Sequence, residues 1–150
     1  IRVMKPSDII YYTPPVVSPA TVALSLPRSK LFKTVVDRMG KMSKLALLTA
    51  EQTGRLVFKV EHSSAVIRTY HAGLLPRDDL DMEAKAVVKA DLRKLSTIMN
   101  FHSMQWDNAC LYFSDNEALV LYISLSPPEA GHVTYFCPVV IMTEEETMSL

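Results

Sequence analysis

One order of elements occurs twice along this chain, and that repetition narrows the fold more than any other feature of the sequence. Ala20 to Leu26 alternates, with Val22, Leu24 and Leu26 on one face, and predicts a strand. Pro27 to Lys44 predicts a helix, opened by Pro27 near its first turn and weakened late by Gly40. Three strands are expected next, over Leu45 to Ala50, Arg55 to Glu61 and Ala65 to His71. Hairpin-like Gln52-Thr53-Gly54 and His62-Ser63-Ser64 separate them. After a loop from Gly73 to Glu83 the order returns. Ala84 to Lys89 predicts a strand, and Asp91 is a good N-cap for a second helix from Leu92 to about Phe101. Strands over Ala109 to Phe113, Ala118 to Ser124 and His132 to Ile141 complete it. The chain thus reads β-α-β-β-β twice at a spacing of about sixty residues, weak in identity and clear in pattern.

The first helix has two unlike sides. At roughly 100° per residue, Leu31, Phe32, Val35, Val36, Met39 and Met42 share one side, built to bury against a core. Lys30, Lys33, Lys41 and Lys44 gather on the other, with Asp37 the one acid among them, while Arg28 and Arg38 lie off this row. A solvated surface helix is the ordinary meaning of such a charge run. The second helix changes the balance. Leu92, Leu95, Ile98 and Met99 form its apolar side, Arg93, Lys94, Thr97 and Asn100 its polar side, and again that side is not acidic. Two such faces at equivalent positions of a repeated unit imply one shared positive surface, suited to a phosphate backbone.

The 150 residues suit one domain with a real core, and 49% hydrophobic with 21% charged residues is a globular composition. Net charge is zero, so attraction to a polyanion must come from segregated charge. The acids do concentrate elsewhere, in Asp78, Asp79, Asp81 and Glu83 and in Glu144, Glu145 and Glu146. Cys110 and Cys137 sit in apolar runs and are expected as small core residues of a reducing compartment. No apolar run approaches the roughly 20 residues of a membrane span, and no signal-peptide pattern opens the chain. With a start at Ile1 and no Met, the sequence is expected to be a segment of a longer protein. Ile1 to Met4 is expected to be extended, and Pro6 to Pro19 to be a connector, because Pro14, Pro15 and Pro19 disfavour helix and ladder alike. With Tyr11 and Tyr12 it is either a docking strip for extended peptides or a tether against its own sheet. The tail from Thr143 to Leu150 is expected to fray.

Catalytic chemistry finds little material. His62, His71, His102 and His132 show no HExxH and no metal-ligand spacing. His71 with Asp78, Asp79 and a serine has no Gly-x-Ser-x-Gly elbow behind it. A GxxxxGK[ST] loop is absent, and four glycines leave little for nucleotide-cradling turns. No cofactor or metal is expected. Trp106, placed in a polar loop, is either a partner anchor or a cover for a sheet end. Met39, Met42, Met99 and Met104 are expected to fill the core.

Several stretches resemble one family over nearly the whole chain, without any catalytic signature. IRVMKPSDI and the connector through PPVVSP are similar to a domain junction. VALSLPRSKLFKTVVDRMGKMSKLALLTA resembles a strand, helix and strand of that family, GRLVFKVEHSSAVIRTYHAGL the following hairpin, VKADLRKL the opening of a second helix, and TYFCPVVI a closing strand. The family is that of DNA sliding clamps related to proliferating-cell nuclear antigen, and within it the C-terminal half of the Hus-type subunit of the heterotrimeric DNA-damage checkpoint clamp. Asn100 to Asn108 departs from the pattern, SPPEAG is similar to an inserted turn, and the acidic tail runs past the usual end.

The resemblance implies an α+β sliding-clamp domain with two helices packed on one side of antiparallel sheets. Residues 1–19 would end a preceding domain and form the interdomain connector, 20–142 the C-terminal clamp domain and 143–150 an acidic tail. It implies a non-enzymatic nuclear ring of three two-domain subunits, with helices lining the hole, that encircles duplex DNA at damage sites. Its partners would be two paralogous clamp subunits, duplex DNA read without sequence preference, a separate ATP-driven clamp loader and repair enzymes. By this analogy Lys30, Lys33, Lys41, Lys44, Arg93 and Lys94 face DNA. The edge strand with Ala65, Ile67, Arg68 and Tyr70 meets the next subunit. The connector with Tyr11, Tyr12, Pro14, Pro15 and Val16 docks partners. The alternatives are a homotrimeric replication clamp, a protein-binding module whose basic helix meets an acidic partner, and a small-molecule enzyme.

Overall fold

Strands β1 (Val22–Ser25), β2 (Leu45–Glu51), β3 (Arg55–His62), β4 (Ala65–His71), β5 (Lys85–Asp91), β6 (Trp106–Ser114), β7 (Ala118–Leu125), β8 (His132–Cys137) and β9 (Val139–Val140) form two antiparallel sheets. The computed structural model describes residues 14–150. Helices α1 (Leu31–Gly40) and α2 (Leu92–Ile98) follow β1 and β5, so the element order is the repeated β-α-β-β-β. The sheets do not follow the repeats. One has the order β1-β6-β7-β8 and the other β4-β3-β2-β5-β9, so each repeat lends its first strand to the other's hairpins. Val22 pairs with Phe113, Leu24 with Leu111, Leu48 with Val88 and Ala50 with Ala86. Neither half can complete a sheet alone.

Alternation along the strands decides the faces. Ala46, Leu48 and Ala50 of β2, Leu56, Phe58 and Val60 of β3, and Ala86, Val88 and Ala90 of β5 are buried. They join Leu111, Phe113, Leu119, Leu121 and Ile123 of the second sheet, and the apolar sides of both helices, in one core. Full burial of Phe32, Val36 and Met39 on α1 contributes roughly 1.5–3 kcal/mol each. Phe32 meets Phe58 edge-to-face with ring centroids 5.3 Å apart.

A buried amide laces the two sheets. Gln52 is fully buried; its Oε1 accepts from the Ala23 N–H at 2.8 Å and its Nε2 donates to the Arg77 carbonyl at 2.9 Å. The chain around Arg77 completes the far edge of β1: Ser25 N–H donates to Leu75 O and Arg77 N–H to Ala23 O, each at 2.8 Å. That loop is seated by Gly54, whose φ of +102° and close approach to the Leu74 carbonyl leave no space for a Cβ.

Several expectations are corrected. α1 is shorter than Pro27 to Lys44, with Lys41 in the turn after it and Lys44 immediately before β2. Leu31 is 64% exposed and Met42 41% exposed, so neither belongs to the buried side, and Met42 does not fill the core. The second helix tightens into a 3₁₀ turn over Met99–Ser103. Trp106 is not in a loop: it opens β6 and is buried. The strand expected through Ile141 breaks at Pro138, which has no N–H to donate. The tail carries a short helix, α3 (Glu144–Met148), with a capping box between Thr143 and Glu146 and a Lys89–Glu146 contact at 3.3 Å. Cys110 and Cys137 are buried free thiols, with burial pushing their pKa up to about 11 and about 12.

Two outcomes are expected. Gln52→Leu strands the Ala23 N–H and the Arg77 carbonyl, and in urea titration it should lower stability by about 2–4 kcal/mol. His71 packs on Phe32 and Phe58 at 5.2 and 5.6 Å, and its enclosed Nε2 has no hydrogen-bond partner among the described residues. Burial lowers its pKa, so the unfolded chain takes up the proton first. Stability should therefore fall as pH drops from about 7 towards the depressed folded value and then level off. His71→Phe should flatten that part of the urea-midpoint profile.

Candidate nucleic-acid interface

α1 and α2 run side by side in opposite directions. At one end a Cβ built on Gly40 would lie 3.7 Å from the Leu92 Cβ, an ordinary van der Waals contact. Further along, Asp37 of α1 accepts a short hydrogen bond from the Ser96 hydroxyl of α2. Asp91 starts α2 by accepting from the N–H groups of Arg93 and Lys94 at 2.9 and 3.2 Å, as its N-cap role requires. Leu92 N–H donates to the Lys44 carbonyl at 2.9 Å, which brings the chain entering β2 against the first turn of α2.

The cations expected on this surface fall along it. Lys30 immediately precedes α1, Lys41 and Lys44 follow it, and Arg93 and Lys94 occupy the first turn of α2; all five are exposed. Lys33 differs: it is half-buried and its Nζ lies 2.6 Å from Asp37. Burial opposes ionisation of Asp37, but the bonds from Lys33 and Ser96 outweigh it and hold the carboxyl below its usual value. Arg38, placed off the row by helical projection, is exposed in the last turn of α1 and joins the same surface. Arg28 is committed elsewhere, stacked 4.7 Å from the Trp106 ring and donating to the carbonyls of Trp106 and Asp107.

Pro27 to Lys44 and Leu92 to Ser103 together hold eight of the sixteen Lys and Arg but a single acid, Asp37. The outer sheet face is unlike this. There Arg55 faces Glu51, Lys59 faces Glu61 and Lys89 faces Glu146. No ion pair among the described residues involves Lys30, Arg38, Lys41, Lys44, Arg93 or Lys94.

β4 is the open edge of its sheet, as expected for Ala65, Ile67, Arg68 and Tyr70. Their side chains divide by alternation: Ile67 packs towards the core, Arg68 and Tyr70 are exposed, and the Arg55 guanidinium lies 5.6 Å from the Tyr70 ring. A second open edge, β8, bounds the other sheet. Sequence reading does not single it out, because an edge position follows from the exchanged first strands. Pro14, Pro15 and Val16 are exposed; Tyr11 and Tyr12 lie outside the described residues. The connector's end is tied to its own sheet, with the Ser114 hydroxyl donating to the Ser18 carbonyl at 2.9 Å and Ser18 N–H to Glu117.

Comparison with known proteins places this geometry. A family profile described as Hus1-like protein matches residues 1–141. The checkpoint protein hus1 homolog of Dictyostelium discoideum is 27% identical over 126 residues, covering 80% of this chain and 44% of that protein. The chain therefore spans less than half the length of this relative. Among solved structures, the PCNA2–PCNA3 complex from Sulfolobus tokodaii has a TM-score of 0.67 at 14% identity, over 87% of this chain and 51% of that one. PCNA from Thermococcus kodakaraensis gives 0.65 at 21%, over 85% and 52%. A Helicobacter pylori beta clamp in complex with 5-chloroisatin gives 0.64 at 13%, over 85% and 34%. At such identities the structural likeness carries the fold, and the family match carries the kinship. The chain belongs to the Hus1-like protein family and has the sliding-clamp fold.

Proposed function

We propose that this chain is the C-terminal part of a non-enzymatic subunit in a heterotrimeric checkpoint ring that encircles duplex DNA in the nucleus and recruits signalling and repair factors. The observation that carries the reading is the helix layer: six cations outside the described ion pairs, around one carboxylate already paired with Lys33 and hydrogen-bonded by Ser96. Cations without a base-reading constellation suit phosphates and no particular sequence. In this reading Lys30, Lys41, Lys44, Arg93 and Lys94 face the duplex directly, and Lys33 contributes a charge shared with Asp37.

A closed ring requires each domain to meet two neighbours. β4 and β8, the open edges of different sheets, supply two unpaired ladders for that purpose. Ala65, Ile67, Arg68 and Tyr70 would form the contact with a paralogous subunit. Residues 1–19 would end the preceding domain and bridge to this one, with Tyr11, Tyr12, Pro14, Pro15 and Val16 offered to partner peptides. Residues 20–142 would form the clamp domain, with 143–150 as an acidic appendage. A separate ATP-driven loader would open the ring.

Assembly is tested by light scattering on the complete subunit, alone and mixed with the two paralogous subunits. A 1:1:1 species without a stable homotrimer is expected; a homotrimer would favour a replication clamp, and a monomer in every mixture would favour a binding module. The wall is tested by charge. Lys30→Ala, Lys41→Ala and Lys44→Ala together should leave assembly intact and make the slope of log K against log salt shallower by roughly 3. Asp37→Asn should act in the opposite direction, strengthening duplex association by freeing the Lys33 charge. Unchanged retention in both would remove the wall assignment.

A further inference from the structure

The two helices touch at Gly40 and are bonded at Asp37, but towards the start of α1 they frame a cleft. It is lined by Lys30, Lys33 and Thr34 on one side and Asn100, His102 and Ser103 on the other, with Asp37 at its inner end. It exists because the second helix does not continue past Ile98: the tighter 3₁₀ turn over Met99–Ser103 swings Asn100, His102 and Ser103 to face the entry of α1. The His102 ring is fixed in place, stacked on Phe101 at 4.4 Å and edge-on to Trp106 at 5.5 Å.

We propose that this cleft is a discrete subsite for one phosphodiester of duplex DNA, in which His102 gains a proton as the phosphate docks. The proposal rests on the helix layer being the DNA-facing wall and adds a defined position and a proton to it.

Donors converge there. Lys33 keeps two N–H groups after donating to Asp37, and Lys30 and the Asn100 side-chain amide are exposed at the rim. The charge balance makes His102 decisive. Two ammonium groups against one carboxylate leave a single net positive charge, and a proton on His102 doubles it. Burial lowers the His102 pKa, and the Lys30 and Lys33 ammonium groups lower it further, so the cleft by itself disfavours the protonated ring. The groups facing the ring are Lys30 just before α1, Lys33 and Asp37 from α1, and Trp106 from the start of β6, behind which Arg28 and Asp107 pair at 3.6 Å. An oxyanion between the ammoniums and the ring reverses their effect on the imidazole, so binding takes up a proton and strengthens as pH falls.

Two measurements on the full-length chain test this. The first follows the titration of each histidine by NMR in sodium sulfate and in sodium chloride at equal ionic strength. Sulfate keeps its charge across this range, so only the protein titrates. The His102 midpoint should rise in sulfate relative to chloride. The second measures affinity for a short duplex, whose phosphodiesters are also fixed in charge. Between about pH 7.5 and about pH 6 the unsubstituted protein should gain about fourfold more than His102→Gln. An unmoved His102 midpoint overturns the subsite, as does a His102→Gln protein with the full pH gain. Should that variant fail to fold, the sulfate titration of the unsubstituted protein decides. If Lys41→Ala and Lys44→Ala weaken duplex binding while His102→Gln does not alter its pH dependence, the wall stands and the subsite falls. If sulfate raises the His102 midpoint but no cation affects duplex binding, the duplex is not the occupant and the wall reading falls with it.

Discussion

The exchange of first strands between the two repeats is the constraint on which the rest of the structure depends. β1 must reach the hairpins of the second repeat and β5 those of the first before either sheet can close. The Gln52 amide stands at the crossing, bonded to β1 through Ala23 and to the returning loop through Arg77. A buried amide in that position is costly unless both ends are satisfied, so it favours one register of the two halves over slipped alternatives. The same exchange brings α1 and α2 together: each follows a strand now held in the other repeat's sheet, and both lower their apolar sides into one shared core.

That shared core is what makes a charged surface tolerable. Eight cations on and flanking two adjacent helices repel one another, and a zero net charge over the chain does not remove the local cost. The structure offsets part of it. Arg28 is drawn aside onto Trp106, and Lys33 is bound to Asp37, whose other oxygen is held by Ser96 across the helix interface. The remaining cations are spread along the layer, from Lys30 at one end to Lys44, Arg93 and Lys94 at the other. The outer sheet face, by contrast, carries mixed charges in pairs. One side of the domain is therefore electrostatically unsatisfied and the other is not, an asymmetry suited to a wall facing a polyanion.

Periodicity alone determined much of this. Alternation through Leu48, Phe58 and Val88 reveals buried strand faces, the Pro and Gly signals bound them, and Asp91 announces the second helix before any contact is known. The spacing of Lys30, Lys41 and Lys44 and their echo at Arg93 and Lys94 likewise mark a basic surface. Only the tertiary structure decided which strands pair across repeats, because register between distant segments leaves no local pattern. It placed Trp106 and Met42 on opposite sides of the buried boundary from where local polarity put them, since burial depends on what the neighbouring element covers. It turned an acidic tail into a capped helix against Lys89. It also bonded Asp37 to Ser96 and set His102 opposite Lys30, meetings between segments some sixty to seventy residues apart that no reading of either helix alone contains.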